Sequence, residues 1–301
     1  AWTIAALVFA LTLALGALLL ARFQTDQERL QREEVVRLAQ ERSQILQRSV
    51  ERMVATNYAL AALVYQGNGA VVNFEAAARQ LLIGNPQLQA LSLSPGGVVR
   101  HVVPLAGNEN LVGFDQLHDP NQQREAVFTR DTGRLTLAGP LQLAQGGQGV
   151  VSRLPVFLTD ATGQSRFWGF SNVTIRLHDL LGRAALSDLR MRGYDYRLWR
   201  VHPDDGSHQV ISASVPGPLV TPVRKSLEVP NGAWNIDLMP VAGWGHGLGL
   251  VWGTVALLLI GLLLAYLAQA LVQQRRYKAG LESLMRERTA QVLSTQDQLR
   301  S

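Results

Sequence analysis

The sequence predicts an α+β chain. A long stalk helix carries two antiparallel-sheet modules, flanked by two transmembrane helices and followed by a C-terminal coiled-coil linker. Three observations lead there. An apolar run without a charged side chain stands near each end, Trp2 to Ala21 and Trp244 to Gln273. Behind the first run, Arg22 to Gln66 is dense in Gln, Glu, Arg, Leu and Ala and contains neither Gly nor Pro. Between Gly67 and Pro240 the texture changes to short β-rich runs punctuated by Gly, Pro and Asn. The expected division is a first span over 1–21, a stalk over 22–66, a membrane-distal module over 67–176 and a proximal module over 177–241. A second span over 242–272 and a cytoplasmic linker over 273–301 complete it.

With 301 residues, 47% of them hydrophobic, there is room for two spans and one large or two small domains. The absence of Cys excludes disulfides and thiolate metal sites, and fits a bacterial periplasm. The formal charge is +5. Its excess is local: Arg275, Arg276, Lys278, Arg286, Arg288 and Arg300 stand against Glu282, Glu287 and Asp297, next to the end of a span. Positive-inside orientation explains that better than nucleic-acid binding, so no nucleic-acid partner is expected. The tail is then cytoplasmic and residues 22–241 periplasmic, in a two-pass protein of a bacterial inner membrane. The start without Met and the end within a helical pattern read as a piece of a longer protein, with its output domain beyond Ser301.

Trp2 to Ala21 is long enough, at about 1.5 Å per residue, to cross about 30 Å of hydrocarbon. The competing reading is a signal peptide cut near Ala14-Leu15-Gly16, but the apolar run continues past the usual core of about 7–15 residues. Small residues four apart, Ala6, Ala10 and Ala14 and then Gly245, Gly249 and Gly253, would let the spans approach closely. In the stalk, Val35, Leu38 and Ile45 form one stripe. Leu46, Val50, Met53, Leu60 and Val64 form another with a different heading, so two partners are expected, a sister helix and the following domain.

Gly67-Asn68-Gly69 ends the stalk, and Asn73 to Ile83 reads as a short amphipathic helix. Leu88–Ser94 and Val98–Pro104 flank Pro95-Gly96-Gly97 as a hairpin. Helices are expected over Asn110–Leu117 and Gln122–Thr132, the second stopped by Gly133. Thr136–Ala144 and Val150–Asp160 flank Gly146-Gly147-Gln148-Gly149 as a second hairpin. Arg166–Ile175 is a further strand and Leu177–Met191 a helix. A second block of strands covers Tyr194–Val201, Gln209–Ser212, Val223–Val229 and Ala233–Pro240. In the last helix, Leu267, Leu271, Gln274, Lys278, Leu281, Met285, Arg288, Val292, Thr295 and Leu299 recur at steps of four and three, an impure coiled-coil seam.

Little in the chain points to catalysis. The glycine-rich turn lies between strands and lacks the Lys-Ser/Thr of a phosphate loop. His202-Pro203-Asp204-Asp205-Gly206-Ser207-His208 gathers metal-capable side chains on a turn, but no second cluster completes a shell, so no metal is expected. Neither the G-x-S-x-G, H-E-x-x-H nor S-x-x-K pattern occurs. What remains is a candidate small-molecule pocket between sheet and helices. Arg100 and His101 on the first hairpin, Arg130 and Asp131 at a helix end, and Arg153, Phe157, Trp168 and Asn172 on later strands could line it; core packing is the plain alternative for each.

From about Asn85 to Phe170 the chain resembles the CHASE family, the extracytoplasmic sensor modules of receptor histidine kinases and nucleotide cyclases. The residues that carry the resemblance are Asn85-Pro86, Gly113-Phe114-Asp115-Gln116-Leu117, Asp119-Pro120, Arg124, Asp131-Thr132-Gly133, Leu137 to Pro140 and Leu154-Pro155-Val156-Phe157. It implies two PAS-like modules on the stalk, with the distal one binding a small ligand, and adds Asp115, Leu137 and Ala138 to the candidate contacts. Plant members recognise cytokinins and have a Thr where this chain has Ala138, which leaves the ligand open. Glu287-Arg288-Thr289-Ala290-Gln291 looks like the linker into a PAS, histidine kinase or GGDEF cyclase domain.

The expected function is therefore a periplasmic ligand-sensing input portion of a dimeric receptor. It needs no cofactor and pairs through stalk, spans and coiled coil within lipid. The alternatives are a methyl-accepting chemoreceptor ectodomain and a membrane-anchored protein-binding module.

Overall fold

The computed structural model describes residues 2–201, 206–245 and 248–300. The described residues form two compact units, 2–31 with 244–300, and Arg32–Gly243. Helix α1 (Trp2–Gln66) runs unbroken from the first apolar run to the end of the stalk, as the absence of interior Pro allows. Helix α5 (Leu248–Arg300) is equally continuous.

In the first unit the apolar parts of α1 and α5 pack antiparallel. Gly16 faces Leu257, Gly253 faces Leu20 and Gly261 faces Phe9. A Cβ at Gly16 would fall 2.0 Å from a Leu257 methyl, so glycine sets this approach. The small-residue stripes expected from spacing are thus displaced: Ala6, Ala10 and Ala14 are exposed, and nothing stands within 4 Å of a Cβ at Gly245 or Gly249. Leu7, Leu11, Leu258 and Leu262 point outward. Both helices are long and apolar enough to cross a membrane.

The second unit holds two antiparallel sheets. The first contains β1 (Ala90–Pro95), β2 (His101–Val103), β3 (Thr136–Gln142), β4 (Gln148–Thr159) and β5 (Ser165–Arg176), in the order β2-β1-β5-β4-β3. The second contains β6 (Tyr194–Val201), β7 (His208–Ala213), β8 (Val223–Val229) and β9 (Gly232–Pro240), in the order β7-β6-β9-β8 around a fully buried Trp234. Helices α2 (Phe74–Gly84), α3 (Gln123–Thr132) and α4 (Leu177–Arg183) pack on the first sheet. Both predicted hairpins form, and α3 ends at Gly133 in the left-handed conformation that favours glycine.

Two predicted helices do not form as expected. Over 110–117 there is only a 3-10 turn, Glu109–Leu111. Gly113 adopts φ 88°, and the backbone of 113–116 bonds instead to Gly97 and Val99. The helix expected over Leu177–Met191 stops at Arg183, where Ala185 turns to φ 47°, and resumes as a 3-10 turn, Ser187–Leu189. Its Leu180, Leu186 and Leu189 still enter the core. The two stripes of the stalk also behave differently from expectation. Val35 and Leu38 are buried within this unit together with Leu46, Val50, Met53, Leu60 and Val64, while Ile45 is half-buried, so both stripes are largely spent on the unit's own packing.

The sheets are tied at β3. Leu137 donates its N–H to Asn231 Oδ1 at 2.9 Å, and its carbonyl accepts from Arg200 Nη1 at 3.5 Å. Arg200 Nη2 meets Glu125 Oε1 at 3.3 Å.

Candidate ligand-binding site

Strand pairing places Thr136, Arg153, Asn172 and Ser92 directly opposite one another on four adjacent strands. Because side chains alternate along a strand, this polar row shares one face of the sheet. All four residues are buried. Asn172 donates to Ser94 Oγ at 2.9 Å and Ser92 Oγ at 3.4 Å. Next in sequence, Ser152 and Ser171 point to the other face, where α1 lies. There Asn57, fully buried, donates to the Ser152 carbonyl at 2.9 Å and its hydroxyl at 2.6 Å, and Ser171 Oγ donates to Asn57 Oδ1 at 2.9 Å. The polar row and the stalk helix thus meet the same two strands, back to back.

Arg153 dominates the row. It is fully buried, donates through Nε to Gln116 Oε1 at 3.1 Å and through Nη2 to Gln122 Oε1 at 2.8 Å, and lies 5.6 Å from the Phe170 ring centroid. Burial pushes its pKa down to about 10, against the pull of Glu125. It stays protonated at neutral pH, in surroundings that disfavour the charge. Nη1 has no hydrogen-bond partner.

Beside it, Ser92, Asn172, Thr174 and Val151 of the sheet face Phe114, Gln116, Gln122 and the β3–β4 turn across a cavity of about 20 Å³. That volume holds about one water. The Gln145 amide of that turn is buried without a partner on either atom, as is Asn172 Oδ1. Unpartnered buried polar groups are rare and costly, about 1–3 kcal/mol each. Two side chains so left around one small space, with the unpartnered Nη1 of Arg153 held behind Gln116 and Gln122, are what an unfilled recognition site presents.

The sequence model of the CHASE domain matches residues 38–209, more than half of the chain. The chain belongs to the CHASE domain family. It therefore carries an extracellular sensor domain, and the matched residues contain the whole polar row. Among solved structures, the chain is similar to an extracellular ligand-binding receptor from Desulfohalobium retbaense, at 14% identity and a TM-score of 0.54, over 68% of this chain and 40% of that one. It thus spans well under half of that receptor's length. A methyl-accepting chemotaxis protein X aligns at 12% identity and a TM-score of 0.49, over 70% of this chain and 97% of the other. The Vibrio cholerae LuxQ periplasmic domain aligns at 12% and 0.39, over 68% and 98%. No curated protein matches the chain.

The sites expected from sequence are dispersed over the CHASE domain. Of these only Asn172 lines the cavity; Arg153 does not line it but bonds to two residues that do, Gln116 and Gln122. His101 pairs with Leu93 and so lies on the α1 face, with its ring 5.8 Å from that of Phe74; with Arg100 it borders an open groove beside α2. Arg130 and Asp131 pair with each other at 2.7 Å beside Phe157, and that hydrogen bond holds the Asp131 carboxyl below its ordinary pKa. Phe157 continues an aromatic row through Phe167 to Phe170. Trp168 donates to the Gly69 carbonyl at 3.3 Å, behind the sheet. Leu137 and Ala138 are fully buried in β3. Asp115 accepts from Leu117 N–H and His118; burial pushes its carboxyl up, but these bonds hold it below the usual carboxylate range. The predicted metal-capable turn from His202 falls largely outside the described residues, as does His246, and no metal-holding group occurs among those described.

Sequence reasoning missed Ser92, Ser94, Gln116, Gln122 and Gln145. The available signal was Ser92 and Ser94 alternating with Leu91 and Leu93 in a strand flanked by apolar sequence.

Replacing Arg153 distinguishes a ligand contact from a structural ion pair. Removing one partner of a buried ion pair costs about 3–5 kcal/mol. Here the substitution removes a buried charge that has no carboxylate partner, against the loss of two bonds to neutral carbonyls. Thermal melting of Arg153→Met in the absence of added ligand should therefore fall by less than the loss of an ion-pair partner would cause. A loss of the full ion-pair magnitude would mark Arg153 as structural.

Proposed function

We propose that this CHASE domain senses a small molecule held in the pocket beside Arg153 and Asn172, and that Asn57 transmits the event to the stalk. The back-to-back placement of the polar row and the Asn57 contacts on β4 and β5 carries this reading. A ligand bound against Asn172 favours one position of these strands over another. It shifts the equilibrium by its differential affinity for the two arrangements. Asn57 holds the reverse side of the same strands, so α1 follows them.

In this reading the two sheets are PAS-like modules, 67–176 distal and 177–241 proximal; the strand order β2-β1-β5-β4-β3 supports the label for the first. The two apolar helices anchor the chain in a bacterial inner membrane, with residues 22–241 in the periplasm and the basic C-terminal part of α5 in the cytoplasm. The output domain beyond Ser301 is a diguanylate cyclase or a histidine kinase, driven through a coiled coil of α5.

The functional unit is a homodimer. On the stalk, Ala55, Tyr58, Ala62 and Tyr65 are exposed at steps of three and four, the spacing of a coiled-coil seam. Tyr58→Arg should shift the full chain in detergent from dimer towards monomer by analytical ultracentrifugation without lowering its melting temperature. An unchanged dimer would move the interface elsewhere.

The test of sensing is thermal melting of the full chain in nanodiscs against a library of small metabolites. At least one compound should raise the melting temperature saturably, and Asn172→Ala should abolish the effect. A folded chain indifferent to the whole library would favour a protein-binding module instead.

A further inference from the structure

On that reading of the pocket, we propose that its ligand is a small organic acid, bound as a monoanion by the guanidinium of Arg153. The side chain is fully buried and charged, yet its bonded partners, Gln116 and Gln122, are neutral, and Nη1 has no acceptor. No carboxylate of the described residues forms an ion pair with it. Glu125, whose charge reaches it, is itself paired with Arg200 at 3.3 Å. Those three groups together leave one uncompensated positive charge behind a neutral polar wall.

A charge already buried without an opposite charge beside it is costly, and an anion brought to it relieves that cost. With Nε and Nη2 held by the two glutamines, the free Nη1 is the donor first open to a carboxylate oxygen. Neutral ligands would leave the charge uncompensated, cations would be repelled, and a dianion such as a phosphate ester would bring more charge than the site balances. Asn172 and Gln145, each with unpartnered amide atoms, are available to the remainder of the molecule. The cavity of about 20 Å³ is too small for any such acid and is lined by Gln116 and Gln122 rather than by Arg153, so entry displaces Gln145 with its turn and draws these two glutamines aside from the guanidinium. That turn is closed by two backbone bonds, Leu143 N–H to Gly147 O at 2.8 Å and Gly146 N–H to Leu143 O at 2.9 Å.

The experiment titrates the full chain in nanodiscs with acids and their uncharged amides: acetate and acetamide, pyruvate and pyruvamide, glycolate and glycolamide, benzoate and benzamide. Sodium chloride and sodium phosphate are run at matched ionic strength. At least one acid should raise the melting temperature saturably, with its amide requiring roughly tenfold more or worse. The effect should vanish in Arg153→Gln and persist partly in Arg153→Lys. If Arg153→Gln does not fold, Asn172→Ala, its cross-strand neighbour, should abolish the acid response with the fold intact. An amide equal to its acid, or an acid effect that survives in folded Arg153→Gln, overturns the anion and leaves small-molecule sensing standing. Chloride or phosphate reproducing the shift overturns the organic acid. Silence from every acid while another metabolite binds also overturns this inference alone; silence from every compound overturns the sensing reading with it.

Discussion

Gly169→Val should prevent the unit Arg32–Gly243 from folding at physiological temperature. Gly169 lies on β5, opposite Pro95 of β1 and Val156 of β4, at the point where the β4–β5 register shifts. A Cβ there would stand 2.1 Å from the Ser94 carbonyl oxygen and 2.8 Å from Pro95 Cα. Both are backbone atoms, so no rotamer change makes room. The collision either parts β1 from β5 or bends the central strand, at a cost above about 4 kcal/mol. A domain of ordinary stability has about 5–15 kcal/mol in total. The damage falls between Ser94 and Phe170, both on the face of Arg153, so the pocket is lost with the pairing. Limited proteolysis of the variant in nanodiscs should cut within 90–176. A wild-type digestion pattern would show that the strands do not approach as closely as described.

Asn57→Ala should destabilise the same unit by about 3 kcal/mol, through lost hydrogen bonds and the buried Ser152 and Ser171 groups left without partners. For a domain of this size that is a fall of about 6–12 °C in melting temperature. Arg153 and Asn172 lie on the opposite face of the sheet and make no bond to Asn57. Ligand affinity should therefore change little, while the response of the stalk is lost. The pairing of results is specific. A variant that loses binding along with stability would mean that Asn57 merely supports the sheet; a variant that melts like wild type would mean that the contacts contribute nothing.

Much of this architecture is legible in the sequence, because its signals are long. A stretch without Gly or Pro yields the unbroken stalk, and the alternation and turns of 88–240 yield both sheets. The predicted helices over 110–117 and 184–191 have helical composition, but Gly113 and Ala185 take positive φ and nearby backbone competes for their hydrogen bonds. The pocket is harder to read. Which face a strand residue occupies depends on register, and a single step decides it. His101 and Arg153 therefore read alike in sequence yet face opposite sides of one sheet. Arg153 is conspicuous as a charge between Val150 and Leu154. Gln116, Gln122 and Gln145 come from irregular segments whose course no periodicity describes, and polar residues there read as solvent-facing.

The measurement that bears most directly on the sensing pocket is native mass spectrometry of the full chain, released from the membrane with minimal washing. Wild type should carry a small molecule of defined mass that leaves on activation, and neither Arg153→Met nor Asn172→Ala should carry it. The same adduct on all three proteins, or a folded wild-type chain that stays empty after incubation with cell extract, would contradict a sensing pocket at Arg153 and Asn172.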